Sequence, residues 1–243
     1  MIKSVFNWSG GKDSSLALYH VLKEKKHDIS CLMTTINSKF NRISMHGVRN
    51  ELLYAQGKAI GLPIKEIRLP EMPTMSEYEE MMTKVMVELQ QEGITHSIFG
   101  DIFLEDLRKY REDRLHEVGI KGHFPLWKGD TTELLHEFID LGFKTIVVCV
   151  KSELLGEEFA GRIIDKDFLK DLPKNVDPCG ENGEFHTFVF DGPIFKEPID
   201  FTIGEKVFKT YEAPKDENDT CFSSSPSRFK EAGFHYCDLI PKL

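Results

Sequence analysis

A chain of 243 residues carrying a formal net charge of −9 is long enough to bury about 70% of its unfolded surface, so neither disulfides nor a structural metal is needed to hold a core. The acidity argues against a general nucleic-acid binder, which presents a basic face. Five scattered cysteines (Cys31, Cys149, Cys179, Cys221, Cys237) with no CxxC pair argue against zinc and fit a reducing cytoplasm. Neither a signal-peptide pattern nor an apolar run of about 18 residues is present, so no membrane association is expected.

In chain order, SVFNW (4–8) reads as a short buried strand. SSLALYHVLKE (14–24) reads as a helix, with Leu18, Val21 and Leu22 at i, i+3, i+4 spacing. CLMTTI (31–36) is a second strand, GVRNELLYAQGKAIGLP (47–63) a helix stopped by Gly61 and Pro63, and IKEIRL (64–69) a third strand. SEYEEMMTKVMVELQQEG (76–93) is a helix with Ser76 as N-cap and Glu79 completing a capping box. HSIFG (96–100) is a strand ending in glycine. After the helix TTELLHEFIDLG (131–142), the apolar run KTIVVCV (144–150) has the character of a central parallel strand. This alternation predicts a doubly wound α/β sheet through residue 150. Residues 151–243 change composition, with strand-like HTFVF and PIDFTIGEKVF, and read as a smaller α+β part; 213–227 reads as a mobile loop.

The turn after the first strand holds Ser9-Gly10-Gly11-Lys12-Asp13-Ser14. Ligands of open α/β sheets bind beyond the carboxyl ends of the strands. Gly10 and Gly11 let backbone N–H groups turn toward an anion, and the next helix offers its positive end. A nucleoside-triphosphatase loop would need a glycine near Val5 and a hydroxyl at position 13, which is Asp13. Lys12 and Asp13 are expected to face a solvent-filled loop.

The six-residue string resembles the pyrophosphate loop of the N-type ATP pyrophosphatases, which cleave ATP between the α- and β-phosphates. Six further segments, in order, resemble the diphthine–ammonia ligase family: MHGVRNELLYAQGKAIGLPI, FGDIFLEDLRKYRE, PLWKGD, FIDLGFKTIVVCV, LGEEFAGRIID and GENGEFHTFVFDGPIF. The likeness implies a Rossmann-like fold of the adenine nucleotide alpha hydrolase type, with residues 1–150 as the ATP-binding domain. It also implies ATP-dependent activation of a carboxylate, then capture by ammonia or an amine, with ATP and Mg²⁺ required. On this resemblance Ser9, Gly10, Gly11, Lys12, Asp13 and Ser14 hold the nucleotide, with Asp13 on the metal. His46 lies near the nucleotide or caps the next helix, and Gly100 and Asp101 end a strand where Asp101 would ligand Mg²⁺ or position ribose. Arg108, Arg111 and Arg114 recur every three residues along one helix side; the resemblance makes Arg108 and Arg111 anion binders. Trp127 either stacks on a base or fills the core.

In CGENGEFHTF (179–188), Glu181 and Glu184 are placed to hold an ammonium ion or take its proton. The family pattern there is Glu-Gly-Gly-Glu-[Phe/Tyr]-Glu-Thr. Asn182 and His186 depart from it, and acidic residues surround Arg108. These departures resemble the bacterial branch, whose cells lack diphthine, and they place His186 among the substrate-binding and catalytic residues of a different acceptor. Two other readings are consistent with the residues: an enzyme of the same superfamily acting on an RNA base or another small metabolite, and a non-catalytic adenine-nucleotide sensor. A homo-oligomer is compatible with all three.

Overall fold

The structure is a computed structural model that describes residues 1–71, 73–212 and 231–242. The loop expected at 213–227 lies outside the described residues.

The first half builds one sheet. Strands β1 (Ile2–Asn7), β2 (His27–Asn37), β4 (Ile64–Leu69), β5 (His96–Ile98) and β6 (Lys121–His123) are parallel in the order β4-β2-β1-β5-β6. A two-residue strand, β3 (Arg42–Ile43), turns back antiparallel on the end of β2. Helices α1 (Lys12–Glu24), α2 (Asn50–Ile60), α3 (Met75–Gln91) and α4 (Glu105–Glu117) connect the strands. The chain runs outward from β1 to β2 and β4, then returns to the other side of β1 for β5 and β6. The strand order therefore reverses between β1 and β5, and open α/β sheets bind their ligands in the crevice beyond the carboxyl ends of the strands at such a reversal. Helix α2 ends at Gly61, whose φ of 86° is the left-handed conformation that glycine adopts without strain.

The capping box of α3 sits two residues earlier than its sequence suggests. Thr74 accepts from the N–H of Glu77, whose carboxylate returns to the Thr74 N–H. Two overlapping Ser/Thr-x-x-Glu patterns compete here, and the upstream one extends the helix. Glu79 is left to accept from the Tyr110 hydroxyl instead.

The second half holds α5 (Thr131–Asp140), β7 (Lys144–Lys151), α6 (Lys166–Asp171), β8 (Phe185–Asp191), β9 (Phe201–Glu212) and β10 (Glu231–Pro241). Its strands form an antiparallel sheet in the order β8-β7-β10-β9. This corrects the reading of KTIVVCV as a central strand of the parallel sheet. Every residue of β7 from Thr145 to Val150 is buried, and burial on both faces produces a continuous apolar run in either kind of sheet. One hydrophobic cluster runs through both sheets, joining Phe6, Trp8, Leu16 and Leu52 to Phe138, Val147, Phe168 and Phe188. The N-terminus of α1 thus lies against β8. No described helix is long and apolar enough to cross a membrane.

Candidate active site

The Ser9–Ser14 loop leaves the end of β1 at the crevice. Gly10 holds a left-handed φ of 76° and Gly11 is the N-cap of α1. No side chain of the loop caps the helix; the Lys12 N–H donates instead to Oγ1 of Thr187 on β8, at 3.0 Å. Ser9 Oγ accepts the Gly11 N–H at 3.2 Å and meets Ser14 Oγ at 3.1 Å, while Ser14 and Ser15 donate to the Gly11 carbonyl. A Cβ on Gly100 would come within 3.0 Å of Asp13 and Ser14 backbone atoms. The turn after β5 therefore packs directly on the first turn of α1, as a crevice at the strand-order reversal requires.

Lys12 is withdrawn from solvent, whereas Asp13 beside it stays partly exposed. Lys12 is 4% exposed, and its ammonium donates to both Asp13 oxygens at 2.7 Å and to the Cys179 carbonyl. Burial disfavours its charge, but Asp13, with Cys179 and Glu181 adding to it, raises the pKa and keeps the ammonium protonated. Burial raises the Asp13 pKa, and Lys12 opposes the rise. The reason is tertiary. The turn 177–184, from the second sheet's side of the chain, closes over the lysine and supplies the Cys179 carbonyl.

That turn is organised by two carboxylates. Asp177 accepts from the N–H groups of Cys179 and Glu181 and from the Thr131 hydroxyl. Glu184, 3% exposed, accepts from the Asp177 N–H, the Asn182 N–H and the Asn182 side-chain amide. Glu181 is placed differently. One of its oxygens takes the Ile102 N–H at 2.8 Å, next to the Asp101 turn. Its pKa is pushed up to about 7, chiefly by burial and then by the Asp13 carboxylate, with Asp101 adding to the rise and the Ile102 N–H and Lys12 opposing it. A carboxyl that titrates near neutrality in a crevice can both accept and return a proton.

His46 does not cap α2, whose N-cap is Arg49. Its Nδ1 meets the Thr187 carbonyl at 3.1 Å, and its ring lies 4.7 Å from that of His186. Burial lowers the His46 pKa to about 4 and drives that of His186 well below its ordinary value, so both rings are neutral at pH 7. Asp101 pairs with Arg111 at 3.1 Å; burial raises its pKa and the guanidinium opposes that. The arginine stripe is occupied by protein. Arg108 bonds Glu112 and lies over Phe124 and Trp127, Arg111 lies over Phe99, and Arg114 pairs with Glu117. Trp127 packs in the second hydrophobic cluster.

The structure brings the loop, Asp101, Glu181 and His46 together, and adds Thr187, Asp177, Gln56 and the Cys179 carbonyl, which the sequence did not single out. Thr187 was visible as the threonine that ends the family pattern Glu-Gly-Gly-Glu-[Phe/Tyr]-Glu-Thr. The others carry no local signal, because a buried glutamine in a helix and a backbone carbonyl in a loop look like any other.

Family models of the diphthamide synthase N-terminal and C-terminal domains match residues 2–122 and 130–214. Diphthine–ammonia ligase of Schizosaccharomyces pombe is 33% identical over 109 residues, 42% of this chain and 18% of that protein. The human diphthine–ammonia ligase is 26% identical over 175 residues, 66% of this chain and 65% of that protein. The mouse enzyme is 25% identical over 228 residues, 84% of this chain and 85% of that protein. The matched stretches thus span less than two thirds of the first two relatives and most of the third. The two family models together cover most of the chain, which therefore belongs to the diphthamide synthase family.

Proposed function

We propose that this chain is an ATP-dependent, AMP-forming ligase that activates a carboxylate as an acyl adenylate and passes the acyl group to ammonia or an amine. The observation that carries this reading is the closure of the Glu181 turn over Lys12 and Asp13, which joins a loop suited to pyrophosphate to a carboxyl with a pKa near 7. Ser9, Gly10, Gly11 and Ser14 hold the β- and γ-phosphates, and Lys12 exchanges the Asp13 and Cys179 oxygens for phosphate oxygens. The acceptor carboxylate attacks the α-phosphorus, and pyrophosphate leaves. Ammonia then attacks the acyl carbon, AMP leaves, and Glu181 takes the proton that the nitrogen gives up.

Among the described residues no three His, Cys, Asp or Glu side chains converge as a metal cage. In this reading Mg²⁺ arrives with the nucleotide, since that ion is commonly held by one or two carboxylates plus phosphates and waters. Asp13 would hold it, where its charge would stabilise the leaving pyrophosphate. Glu184 is a positioning residue in this reading, its oxygens engaged by the turn's own donors. The neutral His46 and His186 rings favour an acceptor less cationic than diphthine, whose trimethylammonium a carboxylate at position 186 would attract.

The test is product analysis. ATP incubated with Mg²⁺ and candidate carboxylates should give AMP and pyrophosphate, and activity should vanish with chelator. ADP and phosphate as the sole products would overturn the proposal.

A further inference from the structure

Gln56 lies on α2 and is fully buried. Its carboxamide faces the phosphate loop and the strand behind it. Oε1 accepts the indole N–H of Trp8 at 2.9 Å, and Nε2 donates to the carbonyls of Gly10 at 2.9 Å and Val189 at 2.7 Å. The Gly10 carbonyl also accepts the Val189 N–H at 2.9 Å. A Cβ on Gly10 would stand 2.6 Å from Gln56 Oε1, so the contact requires glycine for space as well as for its φ.

A peptide unit is planar and trans, so its C=O and N–H point to opposite sides. Holding the Gly10 carbonyl toward Gln56 and Val189 turns the Gly11 N–H the other way, toward Ser9 Oγ and the open end of α1. We infer that Gln56 is a positioning residue for the anion site, setting the Gly10–Gly11 peptide so that the loop's N–H groups face the pyrophosphate of the nucleotide. The role rests on the proposed function. The donor pattern calls for an amide. The indole N–H only donates, so the oxygen must face it, and both amide hydrogens remain for the two carbonyls. Glutamate, of the same shape, would set a carboxylate oxygen against carbonyls; methionine would remove all three bonds and leave the Gly10 carbonyl held by the Val189 N–H alone.

A purely structural Gln56 would affect stability but not the affinity of the folded protein for an anion. The experiment is calorimetric titration of inorganic pyrophosphate into wild type, Gln56→Met and Gln56→Glu, each shown folded by circular dichroism. The Trp8 indole N–H resonance, identified by its loss in Trp8→Phe, is followed alongside. Wild type should bind, the resonance should move on saturation, and both variants should bind at least fivefold more weakly. A smaller loss in folded Gln56→Met, or a Trp8 resonance that does not move, overturns the inference and leaves the proposed function standing. If Gln56→Met does not fold, Trp8→Phe decides. Freeing the amide oxygen should weaken binding severalfold, and wild-type affinity there overturns the role. Wild type that fails to bind pyrophosphate removes the anion site, and both readings fall together.

Discussion

Replacing Lys12 by methionine separates the buried pair seen here from the solvated loop suggested by the sequence. The substitution keeps the length and apolar stem of the side chain and deletes the ammonium. It leaves the Asp13 carboxylate, whose side chain is 30% exposed, and the Cys179 carbonyl without their donor. Removing one partner of a buried ion pair costs about 3–5 kcal/mol, because the other charge stays behind uncompensated. The partial exposure of Asp13 argues for the lower end, about 3 kcal/mol. For a chain of this size each kcal/mol shifts the melting temperature by about 2–4 °C, so a drop of about 6–12 °C is expected. Adding Asp13→Asn should recover part of the loss, since it neutralises the stranded carboxylate. Differential scanning calorimetry of the wild type, both single variants and the double variant closes a double-mutant cycle. Lys12→Met melting within 2 °C of wild type would refute the burial argument and return the lysine to solvent.

Three further outcomes are expected. The folded Glu181 carboxyl keeps its proton to about pH 7, against an ordinary value of 4.5. The stability tied to that proton is therefore complete below about pH 4.5 and lost as pH rises through 7. Glu181→Gln should gain stability relative to wild type across that window in urea titrations, while amide formation falls by at least about tenfold; a pH-independent difference would contradict the raised pKa. Gly100→Ala drives a methyl to 3.0 Å from the Asp13 and Ser14 backbone and should cost about 1–3 kcal/mol, with a raised KM for ATP; an unchanged KM would show that the β5 turn gives way without moving the loop. His186→Glu should improve amidation of a diphthine-bearing elongation factor over wild type, and full wild-type activity on that substrate would show that the neutral ring does not set acceptor preference.

The parallel half of the fold was legible in the sequence because its signals are local. β1, β2, β4 and β5 follow one another through helices whose apolar period, glycine stop or cap is written within a few residues, whereas β3 and β6, two and three residues long, are too short to show a pattern and were not read from the sequence. The glycine pair after β1 and the Gly100–Asp101 turn after β5 could be assigned to the same sheet edge from connectivity alone. What local pattern could not decide was which sheet β7 joins, since a strand buried on both faces is apolar in either. Nor could it reveal that α1 is capped by Thr187, 175 positions away, or that Lys12 is enclosed by the Cys179 carbonyl. It could not distinguish Glu181 from Glu184, two carboxylates in one glycine-rich turn. The first accepts the Ile102 N–H at the crevice and titrates near neutrality, whereas the second is consumed by the turn's own donors. Periodicity and turn chemistry set the elements because those energies act over neighbouring residues. Burial, pKa and hydrogen-bond partnership at the site depend on groups brought together only when the second sheet packs on the first.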